Sequence, residues 1–156
     1  MDLVALEEIR RLKYRYLRSV DQKNWDELES VLAPEAVADY GTPAMGKPLL
    51  LTGRAEILKF MRDALGTPGI VTFHFAGQPE IDVDGDTARG IWAFQDTVIV
   101  SEQRLMIKGA AYYQERYVRT PDAGWLIAHI KYVRTFEMMY SLDDMPSLRL
   151  TLPGLD

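Results

Sequence analysis

The chain has 156 residues, 47% of them apolar and 26% charged, which is the length and composition of one domain with a core of its own. Its formal net charge of −5 argues against nucleic-acid binding, which needs a basic footprint, and the absence of cysteine excludes disulfides, thiolate nucleophiles and cysteine metal sites. No apolar run approaches the roughly 20 residues that span a bilayer, and Met1-Asp2-Leu3 opens directly on a helical pattern without the order of a signal peptide, so a cytoplasmic protein is expected.

From Leu3 to about Val20, Leu6, Ile9, Leu12, Tyr16 and Val20 recur every three or four residues with charges between them, which predicts an amphipathic helix. Arg10, Arg11, Lys13, Arg15 and Arg18 read as its solvated face. Asn24, with Glu27 completing a capping box, starts a short second helix that ends near Leu32, before Pro34. Ala36 to Tyr40 reads as a short strand and Gly41 to Pro48 as a loop, and Gly53-Arg54-Ala55-Glu56 opens a third helix to about Gly66. After Gly69 the period changes to alternation, and four long strands are expected at about 70–83, 87–100, 104–119 and 125–137. Asp84-Gly85-Asp86 and Pro121-Asp122-Ala123-Gly124 supply turns. Met145 to Asp156 is a tail or a short added strand. Helices first and strands last is the α+β order. It implies one curved antiparallel sheet with helices on its concave face, enclosing a cone-shaped pocket suited to a small apolar ligand.

His74 is one of only two histidines and lies between Phe73 and Phe75. It is either a satisfied core residue or a general base in an apolar pocket, because imidazole is the side chain able to exchange a proton near neutral pH. On the last strand, Leu126, Ala128, Ile130, Tyr132, Arg134 and Phe136 share the core face, and Trp125, Ile127, His129, Lys131, Val133 and Thr135 the other. An arginine on a core face needs a carboxylate partner or an anionic ligand. His129, beside Lys131, reads as a surface or interface residue. On the third long strand, Ile107, Gly109, Ala111, Tyr113, Glu115 and Tyr117 share a face, which leaves space near Tyr113 and then offers a phenol. Tyr16 and Asp21 close the first helix and Tyr40 the first strand. Asp21 is a turn aspartate or the carboxylate that orients His74. No nucleophile-elbow serine, glycine-rich phosphate loop or metal-ligand spacing is present in the sequence.

The segment from Ile9 through Asp21 to Leu28 resembles the opening of SnoaL-like proteins of the nuclear transport factor two-like superfamily. Phe73-His74-Phe75 through Pro79-Glu80-Ile81, Thr87 to Trp92, and Gly124-Trp125 to Tyr132-Val133-Arg134 are similar too, so the likeness covers nearly the whole chain, residues 1–156, as a single SnoaL-like domain. It is nearest to the scytalone dehydratase and bile-acid 7α-dehydratase branch, and the tail from Arg134 to Thr151 resembles that of the bile-acid enzyme. The resemblance implies an α+β cone without metal or organic cofactor and a homotrimer. It also implies a catalytic Asp21–His74 pair with Tyr16 and Tyr40, and substrate contacts from Arg134 and Tyr113. Trp92 and Phe136 are the further aromatic contacts expected. Val20 stands where scytalone dehydratase has a tyrosine, Val98 near its second pocket histidine, and Gln114 or Glu115 near its asparagine, all of which argues against scytalone as substrate. The loop at 41–48, which should line the cavity mouth, differs from that of the bile-acid enzyme.

The function expected is therefore a cofactor-independent lyase that eliminates water from an aromatic, polyketide-like or steroid-like molecule. The same parts suit a C–C lyase releasing a small aldehyde from an aryl-propanoid diol, an isomerase, or a dehydrohalogenase, and the superfold also serves as a binding module. Val133, Ile127 and Trp125, expected to face away from the cone, imply self-association.

Overall fold

The computed structural model describes residues 1–41 and 46–152. Residues 42–45 of the mouth loop expected at 41–48, and the end of the tail, lie outside the described residues.

Helix α1 (Leu3–Asp21) starts where the Asp2 carboxylate accepts from the backbone N–H of Ala5 at 3.0 Å. Ile9, Leu12, Tyr16 and Val20 are buried as the spacing predicts, whereas Leu6 is only half-buried and Ala5 takes the buried place at that end of the stripe. Lys13 is a correction: it is fully buried, because it lies four residues after Ile9 and three before Tyr16 and so falls inside that stripe. Helix α2 (Trp25–Val31) is capped by the Asn24 side chain, which accepts from Glu27 N–H at 3.2 Å. The capping box is half formed, since the Glu27 carboxylate instead takes Arg18 at 2.5 Å. Helix α3 (Arg54–Leu65) follows Gly53, whose φ of +93° explains the glycine there.

Strands β1 (Leu32–Asp39), β2 (Leu50–Thr52), β3 (Ile70–Asp84), β4 (Thr87–Val100), β5 (Leu105–Thr120) and β6 (Gly124–Ser141) form one open sheet in the order β2-β1-β6-β5-β4-β3. The four long strands pair antiparallel, but β1 runs parallel to β6, so the sheet is mixed and not purely antiparallel. A parallel pair needs a long crossover, and β2, α3 and the strands β3, β4 and β5, which lie between β1 and β6 in the chain, supply it. α1 packs along β3 and across β6, and α3 lies against β1, so the helices cover one face of the sheet. This is the α+β cone. A 3-10 turn (Leu142–Asp144) ends β6, and 145–152 adds no strand.

Two register shifts decide what β6 presents. Between the pairs Tyr117–Ile127 and Arg116–His129, and again between Ala111–Arg134 and Ala110–Phe136, β6 carries one residue more than β5. Each such bulge inverts the inside–outside alternation beyond it. Ile127 thus pairs with buried Tyr117, and both Ile127 and Trp125 belong to the core instead of facing away from it. Of the three residues expected outside, only Val133 is exposed. None of the described helices is long and apolar enough to cross a membrane.

Candidate active site

Asp21 is the last residue of α1, and it meets the inner face of β3 there. Its Oδ1 lies 2.6 Å from His74 Nδ1 and accepts from the Thr72 hydroxyl at 2.8 Å, while Oδ2 accepts from the His74 backbone N–H at 2.8 Å. Thr72, His74 and Ala76 alternate inward, with Phe73 and Phe75 exposed on the opposite face. With Nδ1 held by a carboxylate, the second ring nitrogen is the one left for chemistry. Among the described residues Nε2 makes no hydrogen bond, and His74 lines a cavity of about 150 Å³.

The cavity lies between α1, α3 and the sheet. Leu17, Val20, Phe60, Met61, Ala64, Leu65 and Phe94 make it largely apolar. Tyr16, Tyr40, Tyr113 and Tyr132 supply its polar edge. The hydroxyls of Tyr16 and Tyr40 are 2.6 Å apart. The Tyr132 hydroxyl donates to the Tyr40 carbonyl at 2.9 Å, and the Tyr113 ring stacks on Phe94 with centroids 4.2 Å apart. Burial holds the phenols of Tyr16, Tyr40 and Tyr113 above their ordinary range, and pushes Tyr132 up to about 12. These groups are therefore neutral hydrogen-bond donors at cellular pH and are not bases.

Arg134 reaches the wall already paired. Its two terminal nitrogens donate to both oxygens of Asp96 at 2.5 and 2.8 Å, and Nε lies 3.3 Å from a Glu137 oxygen without hydrogen-bond geometry. Burial opposes its charge, but the Asp96 carboxylate outweighs burial and raises the guanidinium pKa. Gly109 makes the pair possible: a Cβ there would sit 2.5 Å from Arg134 Nη1 and 3.1 Å from Asp96 Oδ1.

Behind the tyrosines lies a second buried ion pair, Lys13 Nζ to Glu115 Oε1 at 2.5 Å, both side chains fully buried. Lys13 also sits 3.2 Å from the centre of the Tyr113 ring. The other Glu115 oxygen accepts from the Tyr117 hydroxyl at 2.5 Å, and that hydroxyl accepts from Trp92 Nε1 at 2.8 Å. Burial lowers the Lys13 pKa despite the attraction of Glu115, which raises it.

His74, Tyr16, Tyr40, Tyr113 and Arg134 thus converge on one cavity, with Asp21 directly behind His74. Trp92 and Phe136 do not join them. Trp92 shares the inner face of β4 with Phe94 and Asp96 but is wholly buried, its ring edge-on to Tyr14 at 6.1 Å. Phe136 is 44% exposed on the outer face, paired with Ala110, because the bulge after Arg134 turned it over. Asp96 was missed by the sequence reading, although its place after Trp92 and Phe94 in the β4 alternation puts an acid on a core face. Among the described residues, no group of three or more His, Asp or Glu is placed to hold a metal.

Residues 1–131 match the SnoaL-like domain. The chain belongs to the SnoaL-like family. Uncharacterized proteins of Mycobacterium tuberculosis and Mycobacterium bovis are 31% identical to it over 134 residues, 85% of this chain and 86% of theirs. Among solved structures, a Novosphingobium aromaticivorans protein provisionally named a scytalone dehydratase superposes with a TM-score of 0.78 at 20% identity, over 89% of each chain. A type-3 hexachlorocyclohexane dehydrochlorinase of Novosphingobium barchaimii superposes with a TM-score of 0.77 at 17% identity, over 97% of each chain. At these identities the SnoaL-like chain and the solved proteins share a fold.

Proposed function

We propose that this SnoaL-like protein is a cofactor-independent lyase that eliminates water from a hydrophobic small molecule. The observation that carries the reading is the Asp21–His74 contact of 2.6 Å, with the ring projecting from it into an apolar cavity edged by phenols. In this mechanism, Nε2 of His74 takes a proton from the carbon next to a carbonyl. The C–H electron pair moves into an enolate, and a hydrogen bond from Tyr16 or Tyr40 stabilises its oxygen. The enolate then forms the carbon–carbon double bond as the β carbon–oxygen bond breaks, and the imidazolium returns its proton to the departing hydroxyl, releasing water. Asp21 fixes the tautomer and balances the transient imidazolium charge.

The raised phenol pKa values support this division of labour, because a neutral tyrosine donates and His74 is left as the base. Loss of chloride in place of hydroxide would use the same base, a variant favoured by the shared fold with a dehydrochlorinase.

The test is product analysis by mass spectrometry, with wild type and His74→Ala offered β-hydroxy ketones, β-chloro ketones and aryl-propanoid diols. A His74-dependent loss of water supports the proposal. Loss of hydrogen chloride alone would move the reading to dehydrochlorination, and loss of formaldehyde to C–C cleavage. Equal, background-level turnover by both proteins across the panel would leave a binding module. We also propose self-association through the outer face of the sheet, where Phe73, Phe75, Tyr112, Val133 and Phe136 are exposed. Light scattering that returns a monomer at all concentrations would refute it.

A further inference from the structure

An arginine on a cavity wall invites an anionic substrate, but the carboxylates around Arg134 oppose one. Both of its terminal nitrogens are taken by Asp96, itself 8% exposed, and Glu137 flanks Nε at 3.3 Å. Asp21 adds a third carboxylate behind His74. The other buried cation nearby, Lys13, is closed off by Glu115 and covered by Tyr113 and Tyr16. One guanidinium thus stands against three carboxylates, Asp96 on the cavity wall with Glu137 and Asp21 behind it. An entering carboxylate would lose its hydration and meet like charges beside a guanidinium whose charge Asp96 already balances.

Size narrows the class further. The cavity volume of about 150 Å³ lies below the roughly 300–1,000 Å³ of drug-sized ligand pockets, and is comparable to the ~150 Å³ space known to take a benzene-sized guest. Its depth is capped by packed groups. Phe94 stacks on Tyr113, and Tyr132 meets both edge-on, at 5.6 and 5.8 Å.

We propose that the ligand of this cavity is an uncharged, single-ring molecule, and that the Asp96–Arg134 pair is the element that rejects anions of the same shape. The inference rests on the cavity being the lyase site described above, but it is read from binding alone. Neutral rings meet an apolar wall with phenol donors at one side. Arg134, held rigid by Asp96, acts as part of the wall and stacks against Tyr132 and Phe94 at 5.1 and 5.5 Å.

The experiment is calorimetric titration of the full chain with nitrobenzene and benzoate, which share shape and differ in charge. Wild type should bind nitrobenzene at least about tenfold more tightly than benzoate. Ala64→Phe, filling the cavity from α3, should abolish that binding. Asp96→Asn should raise benzoate affinity by about tenfold, a change of ~1.4 kcal/mol. Circular dichroism checks that the variant is folded, and Glu137→Gln, which should shift affinity in the same direction, replaces it if it is not. The proposal is overturned if wild type binds benzoate as well as nitrobenzene, if it binds neither, or if neither carboxylate substitution improves benzoate binding. A four-ring steroid ketone that binds more tightly than nitrobenzene would overturn the size limit. Selectivity retained with no turnover of any substrate would refute the lyase and leave this inference standing.

Discussion

The Asp21 carboxylate holds His74 at two points, with Oδ2 accepting from its backbone N–H at 2.8 Å and Oδ1 lying 2.6 Å from its ring Nδ1. The first contact fixes where α1 ends against β3, and the second fixes the orientation of the ring. Because the two contacts share one side chain, helix placement and imidazole geometry are coupled.

This coupling separates two substitutions. Asp21→Asn keeps a side chain of the same shape but removes the charge that supports imidazolium. Turnover should fall by about 100-fold or more, within the range general acid–base catalysis supplies. Thr72→Val removes only the 2.8 Å hydroxyl contact to Oδ1 and should cost far less. Steady-state kinetics on the identified substrate would measure both. Equal losses would mean that Asp21 acts by packing and not by charge.

The Lys13–Glu115 pair has no access to water, so removing one member leaves a bare buried charge. Lys13→Met should destabilise the fold by about 3–5 kcal/mol. The double variant Lys13→Met, Glu115→Gln should recover most of that, since the glutamine still accepts from Tyr117. Urea unfolding of the two variants gives the comparison. No recovery in the double variant would show that the ammonium contributes through its contacts with Tyr113 and Tyr16 instead.

Gly109→Ala should force the Arg134 guanidinium off Asp96, because the new methyl carbon would lie 2.5 Å from Nη1 and the arginine is pinned by its bidentate contact. We expect a loss of about 1–3 kcal/mol, the usual cost of overpacking. We also expect increased benzoate affinity, in the direction of Asp96→Asn. Denaturant unfolding paired with the same titration checks both effects.

Five phenols, those of Tyr16, Tyr40, Tyr113, Tyr117 and Tyr132, are raised, chiefly by burial. In the unfolded chain a tyrosine ionises near pH ~10. Above that pH the unfolded state releases protons that the native state keeps, so stability is full below about pH 10 and falls as pH rises toward the folded values, about 12 for Tyr132. Phenolate absorbance from these residues should therefore appear together with loss of the helical circular-dichroism signal. Smooth ionisation of all tyrosines in a chain that stays folded would contradict the packing described here.

Local order determined much of this protein. The three- and four-residue recurrence of Ile9, Leu12, Tyr16 and Val20 is enough to set α1, and the change to alternation after Gly69 is enough to set the long strands, because both periods are properties of the backbone alone. His74 and Asp21 stand out for the same reason: one is a rare residue on an apolar strand and the other closes a helix. What only the tertiary structure decided is who meets whom. Asp96 and Arg134 are 38 residues apart and Lys13 and Glu115 are 102 apart, so their pairing depends on sheet register and helix placement. The fate of Phe136, Ile127 and Trp125 depended on bulges in β6, where one extra residue inverts every side chain that follows. Alternation read along one strand carries no mark of an insertion that exists only relative to its neighbour. For that reason Asp21 and His74 could be singled out along the chain, with the resemblance implying their pairing, while the charge balance of the cavity around them required the fold.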